Sequence, residues 1–400
     1  MKYIILLGDG MSDHPIEKLD GKTPLQYAKT PNMDFMAKEG TIGTAQTVPE
    51  GFPPGSDVAN LSVFGYAPAK YYTGRSPLEA ASMGVELGPD DVAYRCNLVT
   101  LVEGMGDLIM DDFSGGHIST EEAAELISEL DKQLGDDEFK FYPGVSYRHL
   151  MVWKGGAHRI ETTPPHDISD RVIGPHLPKG DRSDVISSLM MKSREILEHC
   201  HVNKTRIIAG AKPANAIWLW GQGKAPKMPD YKEKYGLTGA VISAVDLLKG
   251  IGIYAGLEII DVPGATGYID TNFAGKAEYA LKELETKDFV YLHVEAPDEA
   301  GHSGNMEHKI KAIEDFDEKV VGAVLEGMKK FGEYRVLVLP DHATPLSIKT
   351  HSSDAVPFAI YPSPDSESPR SEGGYNEISA EKSGFTIDKG HMLMDFFIKK

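Results

Sequence analysis

Three short apolar runs punctuate the chain, at residues 4–7, 289–294 and 336–339. Each is continuous rather than alternating, the pattern of a strand covered on both faces and therefore of a parallel sheet between helices. Between the last two runs, Ile310, Ile313, Phe316, Val320, Val321 and Val324 recur at three- and four-residue spacings. That period predicts an amphipathic helix over residues 307–329. Strand, helix and strand in this order form a βαβ unit, and the fold class is α/β, a mainly parallel sheet flanked by helices.

The middle of the chain reads differently. Residues 86–235 are rich in Gly, Pro and His, as in Phe141-Tyr142-Pro143-Gly144 and Thr163-Pro164-Pro165-His166. Residues 98–102 and 150–153 have strand character, and residues 120–134 read as a helix that Thr120 caps, with Glu121, Glu122 and Glu125 in its first turns. A smaller α+β domain over 86–235 is therefore expected inside a discontinuous domain of residues 1–85 and 236–400. Residues 361–377, with three prolines and two glycines, read as a loop.

A length of 400 residues is ample for a real core. The formal net charge of −19 argues against a nucleic-acid partner, which would call for a basic face. Anionic small molecules stay open, because a local cluster of cations can be positive inside an acidic protein. The two cysteines, Cys96 and Cys200, make neither a metal-type pair nor a disulfide framework. The first apolar run is too short for a signal peptide and ends at Asp9, and charged residues interrupt the longer stretches. A cytoplasmic protein without a membrane span is expected.

The apolar runs share a sequel. The first leads into Gly8-Asp9-Gly10, the second into Glu295-Ala296-Pro297-Asp298, and the third into Pro340-Asp341-His342. Ligand sites of open α/β sheets lie just beyond the carboxyl ends of the strands, so these three Asp side chains are expected to meet on one edge. A lone Asp after a strand is an ordinary turn former or helix cap, but three of them, two with a His nearby, point to a site. Asp298 and His302 stand four residues apart and share a face of a helical turn, where they either pair with each other or grip one ion. His351 stands nine residues after His342, just before the apolar run 356–361. Mixed Asp and His ligands suit Mn²⁺ or Zn²⁺, with Mg²⁺ an alternative where oxygen dominates.

Ser56 follows Phe52-Pro53-Pro54-Gly55, and the apolar spacing after it suggests a helix. Serine at that place is either an N-cap or part of an anion site, since free backbone N–H groups point outward there. A metal on its oxygen would turn it into an alkoxide nucleophile. The chain has no Gly-x-Ser-x-Gly elbow. Gly21-Lys22-Thr23 lacks the upstream Gly of a P-loop, and no Gly-x-Gly-x-x-Gly follows the first strand.

Taken together, Gly8-Asp9-Gly10, Gly55-Ser56-Asp57-Val58-Ala59-Asn60, Tyr72-Thr73-Gly74-Arg75, Asp298-Glu299-Ala300-Gly301-His302, Pro340-Asp341-His342 and Thr350-His351 resemble the alkaline phosphatase superfamily. Over nearly its whole length the chain is most similar to the archaeal-type cofactor-independent phosphoglycerate mutases. The resemblance implies an isomerase with two divalent metal ions, Mn²⁺ first, one held by Asp298, His302 and His351 and the other by Asp9, Ser56, Asp341 and His342. It implies a phosphoserine at Ser56 that returns its phosphoryl group to the other hydroxyl of a small phosphorylated substrate. It further implies an inserted domain that covers the site, with His117 as a catalytic acid or base and Arg95, Arg148 and His166 as substrate contacts. One stretch departs from the pattern: Met110-Asp111-Asp112-Phe113-Ser114-Gly115-Gly116-His117-Ile118 stands where archaeal members often carry a more arginine-rich segment ending Ala-Gly-Arg-Ile. A less anionic substrate would suit that change, so a homoserine kinase-like phosphotransferase and a metal-dependent phosphatase are the alternatives to the mutase.

Overall fold

The computed structural model describes residues 1–104, 106–362, 364–365 and 367–398. The chain divides into two compact units, Met1–Tyr72 with Lys227–Lys400, and Thr73–Pro226. The second unit thus starts and ends earlier than the 86–235 expected. The helix Ser76–Ser82 packs on the strands Val92–Gly104 and Ala216–Gly223, and Ser76 Oγ donates to the Gly221 carbonyl at 2.6 Å. Past the other boundary, Tyr231 is fully buried in the first unit and its hydroxyl donates to the Phe64 carbonyl at 2.8 Å.

The first unit is built on an eight-stranded sheet. Its strands lie in the order Glu258–Ile259, Gly239–Ile242, Phe289–Val294, Lys2–Gly8, Tyr334–Leu339, Val356–Tyr361, Thr41–Ala45 and Thr386–Ile387. The first five run parallel, and Val356–Tyr361 is antiparallel to both its neighbours. The expected runs are the central strands, and all three are buried from end to end apart from Lys2 and Tyr334 at the start of two of them. Helices cover the sheet, and the core between them is apolar: Ile4, Leu6, Val290, Leu292, Val336 and Val338 meet Ile313, Phe316, Val320 and Val324.

The helix expected over 307–329 begins as Met306–Phe316, widens into a π-helical stretch at Asp317–Gly322, and resumes as Ala323–Met328. The widening places the buried Asp317 carboxylate over the start of another helix, Pro31–Glu39, whose own N-cap, Thr30, makes no side-chain cap bond. Asp317 accepts from the Met33 N–H at 2.7 Å, the Asn32 N–H at 3.2 Å and Asn32 Nδ2 at 2.9 Å. A carboxylate from a distant element thereby satisfies the orphan donors of that helix end.

The second unit holds a five-stranded sheet centred on Val92–Gly104, with neighbours Asp107–Asp112, Arg148–Trp153 and Ala216–Gly223, and with Phe139–Tyr142 beside Arg148–Trp153. All its pairings are antiparallel. The helix Thr120–Leu134 has the expected bounds, but its cap is Ser119: Ser119 Oγ accepts from the Glu122 N–H at 3.2 Å, and the Glu122 carboxylate accepts from the Ser119 N–H. Thr120 is instead its first helical residue. Within the expected loop 361–377, residues 363 and 366 lie outside the described residues, and the described part of 362–376 carries no helix or strand. Among the described residues no helix is long and apolar enough to cross a membrane.

Replacing Asp317 by Ala would strand the N–H groups of Asn32 and Met33 in a buried place. Loss of charge-assisted bonds of this kind costs about 3 kcal/mol. Urea denaturation of Asp317→Ala is expected to show that loss, and a change below about 0.5 kcal/mol, the scale of an ordinary surface substitution, would contradict the capping role.

Candidate active site

Strand direction gathers the site. Lys2–Gly8, Phe289–Val294 and Tyr334–Leu339 run parallel, so the residues after them, Asp9, Glu295 to Asp298, and Asp341-His342, emerge on one edge. Val356–Tyr361 runs the other way, so the segment before it, which carries His351, reaches the same edge. Bridges from Ala343 to Met11 and to Ser352 tie these loops together. Gly10 fits there only as glycine: at φ +58°, an added Cβ would lie 2.5 Å from Thr344 Oγ1 and 2.6 Å from Asp298 Oδ1.

Asp298 opens the first group. It sits in the helix Ala296–Ser303, one turn before His302. His302 Nε2 lies 3.2 Å from Asp298 Oδ2, His351 Nε2 lies 3.6 Å from Asp298 Oδ1, and the two imidazole nitrogens are 2.9 Å apart. His302 Nδ1 faces the Lys349 carbonyl at 3.0 Å. A carbonyl only accepts, so Nδ1 carries the proton and Nε2 turns a lone pair toward the group, as in a metal-ligating histidine.

The second group centres on His342 Nε2, which lies 3.1 Å from Ser56 Oγ, 3.3 Å from Asp341 Oδ2 and 3.5 Å from Asp9 Oδ1. Thr344 Oγ1 donates its proton to Asp298, so it can only accept from His342 Nδ1 at 3.2 Å, and His342 Nε2 is again left as a lone pair. Ser56 begins the helix Ser56–Val63 but is not its N-cap; Gly55 holds that position. Its hydroxyl is therefore free of the capping task and points at His342.

The electrostatics call for cations. Asp9, Asp298 and Asp341 are buried, and Glu295 is mostly so. Burial, then the charges of Asp341, Glu295 and Asp298, push the Asp9 carboxyl well above the usual range. Burial, then Asp298, pushes Glu295 up to about 8. Asp298 goes the other way: burial would raise it, but the hydrogen bonds of His302 and His351 hold it well below the carboxylate range. Without an ion the contact with Asp298 pushes His302 up to about 9, so Nε2 holds a proton that a bound cation would displace to use the lone pair, while burial holds His342 below its ordinary value. Asp9 Oδ1 has no hydrogen-bond partner. Buried, crowded carboxylates with an orphaned oxygen and lone pairs turned inward fit divalent cations. Two three-residue sets have metal-ligand spacing at these groups, Asp298 with His342 and His351, and Asp9 with Asp341 and His342.

Some participants escaped the sequence reading. His293 Nε2 touches Asp9 Oδ2 at 2.8 Å and Glu295 Oε2 at 3.4 Å. Glu295 carried the same signal as Asp9 and Asp341, an acid directly after a strand, whereas His293 was hidden inside an apolar run. Asn60 donates to Asp341 Oδ2 at 2.7 Å and accepts from the Tyr291 hydroxyl at 2.6 Å, which fixes the carboxylate oxygen that lies 3.3 Å from His342 Nε2.

In the second unit, Arg95 is buried. Its Nη1 pairs with Glu79 at 3.1 Å and its guanidinium lies 4.9 Å from the Trp220 ring. Arg75 Nε donates to the same Glu79 oxygen at 2.9 Å. His166 packs edge-on against Trp220 and Phe113, Phe113 meets Tyr147, and Arg148 lies over the Tyr147 ring. Arg95, Arg148 and His166 thus belong to one cationic and aromatic cluster. His117 does not: among the described residues no hydrogen bond, ion pair or ring contact joins its side chain to that cluster. It is exposed, at φ +50°, and follows Gly115 and Gly116, which are also left-handed. Arg206 holds this turn by donating to the Gly115 and Gly116 carbonyls at 2.9 and 3.2 Å.

Residues 37–203 match the family model described as 2,3-bisphosphoglycerate-independent phosphoglycerate mutase. A Geobacter sulfurreducens protein named as a probable mutase of this kind is 59% identical over the full length of both chains. The Methanosarcina barkeri mutase is 54% identical, again over the whole of both. Among solved structures, the cofactor-independent phosphoglycerate mutase of Thermoplasma acidophilum superposes with a TM-score of 0.67 at 28% identity, covering 100% of this chain and 99% of that one. A Pyrococcus horikoshii protein superposes with a TM-score of 0.83 at 29% identity, over 99% and 96% of the two chains. The chain belongs to the 2,3-bisphosphoglycerate-independent phosphoglycerate mutase family.

Proposed function

We infer that this protein is an isomerase that interconverts 2- and 3-phosphoglycerate without 2,3-bisphosphoglycerate, through a phosphoserine at Ser56 in a two-metal site. The observation that carries the chemistry is the position of Ser56 Oγ, 3.1 Å from His342 Nε2 among the second group of ligands. Asp298, His302 and His351 are assigned to one ion, and Asp9, Ser56, Asp341 and His342 to the other, with Mn²⁺ the first choice for the mixed oxygen and nitrogen set. Such ions supply charge neutralisation of the phosphoryl oxygens and a lowered pKa for the serine hydroxyl. Free Cys96 and Cys200 go with a reducing, cytoplasmic setting.

In the first half-reaction Ser56 Oγ forms a bond to phosphorus as the bond from phosphorus to the substrate oxygen breaks, and that oxygen leaves with a proton. In the second, the other hydroxyl of the glycerate attacks the phosphoserine, loses its proton and restores Ser56. His117 is assigned the proton transfers, because imidazole exchanges protons near neutrality. The substrate carboxylate needs fixed cations, and Arg95, Arg148 and His166 are assigned to it. Arg95 is already held by Glu79 and Trp220, which leaves the exposed Arg148 the freer to bind.

The direct test supplies Mn²⁺-loaded protein with 3-phosphoglycerate alone, then with homoserine and ATP, and follows the phosphorus resonances. The 2-phosphoglycerate signal is expected in the first sample and no phosphohomoserine in the second. Phosphorylated homoserine together with untouched phosphoglycerate would overturn the mutase reading.

Ser56→Ala is expected to lose turnover while its denaturation midpoint stays within about 1 kcal/mol of the parent, since the hydroxyl caps nothing. More than a few per cent of residual activity would remove Ser56 from the mechanism. Arg148→Ala is expected to raise KM for phosphoglycerate at least tenfold, about 1.4 kcal/mol of binding. An unchanged KM would cancel its assignment to the carboxylate.

A further inference from the structure

Three successive residues of the inserted unit stand in the left-handed region: φ is +59° at Gly115, +68° at Gly116 and +50° at His117. Glycine adopts such angles freely, but a residue with a Cβ is strained there and persists only where its surroundings over-determine it. This turn is held from two sides. On one side the buried Ser114 accepts from the His117 N–H at 3.0 Å and donates to Asp112 Oδ1 at 2.6 Å. The same Asp112 oxygen accepts from the Ser114 N–H at 2.8 Å. On the other side the buried Arg206 reaches in from the helix His201–Ile208. Its Nη2 donates to the Gly115 and Gly116 carbonyls, its Nε to the Lys212 carbonyl at 2.9 Å, and its Nη1 to Glu122 at 2.7 Å. Glu122 belongs to the capping box of the helix Thr120–Leu134, so two helices brace one turn.

We propose that Arg206 is a positioning residue: it locks the turn Gly115-Gly116-His117 and so fixes where the His117 imidazole stands during proton transfer. The proposal rests on the assignment of the proton transfers to His117. A turn that served packing alone would need no Cβ at its third left-handed position, and a histidine kept there for packing would be buried. His117 is exposed, and among the described residues its imidazole makes no hydrogen bond, ion pair or ring contact. The backbone is immobilised while the side chain stays uncommitted, the combination that a proton-transfer group requires. The brace is specific to arginine. A planar guanidinium donates from three nitrogens in fixed directions, whereas an ammonium donates from a single point and cannot reach all four acceptors. The turn also has no room to shift: a Cβ added at Gly116 would lie 2.8 Å from Lys212 Cβ and 3.1 Å from Arg206 Nη2.

The test is a double-mutant cycle on the Mn²⁺-loaded full chain, with kcat and KM measured for 3-phosphoglycerate. His117→Asn removes the imidazole but keeps a residue that tolerates the left-handed backbone, and it is expected to lower kcat at least about a hundredfold. Arg206→Lys is expected to lower kcat at least about tenfold with KM within about twofold of the parent, and to cause no further loss when added to H117N. A residue that merely holds the fold acts with or without His117. A loss of the same factor in both backgrounds, a loss confined to KM, or no loss at all would therefore overturn the proposal. Gly116→Ala distorts the same turn and is expected to show the same dependence on His117. It takes the place of Arg206→Lys if a thermal melt shows that variant unfolded, and additive losses would again overturn the proposal. An H117N variant with the parent's kcat would remove the proton-transfer assignment and this proposal with it, and leave Ser56 and its ligands as assigned.

Discussion

Like charges crowded beyond the end of a parallel sheet are the constraint on which the rest of this structure turns. Asp9, Asp298 and Asp341 are almost without solvent, and Glu295 joins them. A buried carboxylate is costly unless something positive answers it, and several together multiply that cost. The protein supplies few positive groups of its own at this edge. It supplies imidazoles instead, with His302 and His342 each held by a bond at Nδ1 that turns Nε2 inward. That arrangement is poor as a set of ion pairs and good as a ligand field.

Holding repelling groups in place requires a frame, and the frame is polar as well as apolar. Lys309, fully buried, donates to the Ser12 carbonyl at 3.2 Å, the Thr344 carbonyl at 2.8 Å and Asp13 Oδ2 at 2.8 Å. Asp13 also accepts from the Leu346 N–H at 3.1 Å, and its own N–H donates to Glu377 at 3.0 Å. One helix residue thereby clasps the loop after Asp9 to the loop after His342. Thr344 couples the two ligand groups directly, because its hydroxyl serves Asp298 and His342 at once. The arrangement of the ligands is thus set before any ion arrives, a preorganisation that favours catalysis over mere binding.

Much of this was legible in the chain. Apolar runs that end in an acid place Asp9, Asp298 and Asp341 on one edge as soon as the sheet is read as parallel, and the structure brings them there. His351 was found for a different reason: it precedes a strand, and that strand proves antiparallel. What stayed hidden is polar chemistry inside apolar patterns. His293 occupies one position of a buried strand, and Lys309 and Asp317 occupy the inner face of a helix, where periodicity alone leads one to expect aliphatic side chains. The domain boundary was misplaced for a similar reason, since the short Ser76–Ser82 helix carries no signal of which sheet it will cover. The inserted unit shows the limit most clearly. Arg95, Arg148 and His166 share a cluster through Trp220, Phe113 and Tyr147, and no spacing in the sequence separates them from His117, which stands elsewhere on a left-handed turn.

The central claim is that the strand ends build two adjacent ion sites with Ser56 at one of them. Anomalous scattering from crystals soaked in Mn²⁺, recorded on either side of the manganese edge, tests it most directly. The account predicts a peak among Asp298, His302 and His351 and a second among Asp9, Ser56, Asp341 and His342. A map with no peak at the Ser56 group, in crystals that carry manganese elsewhere, would contradict it.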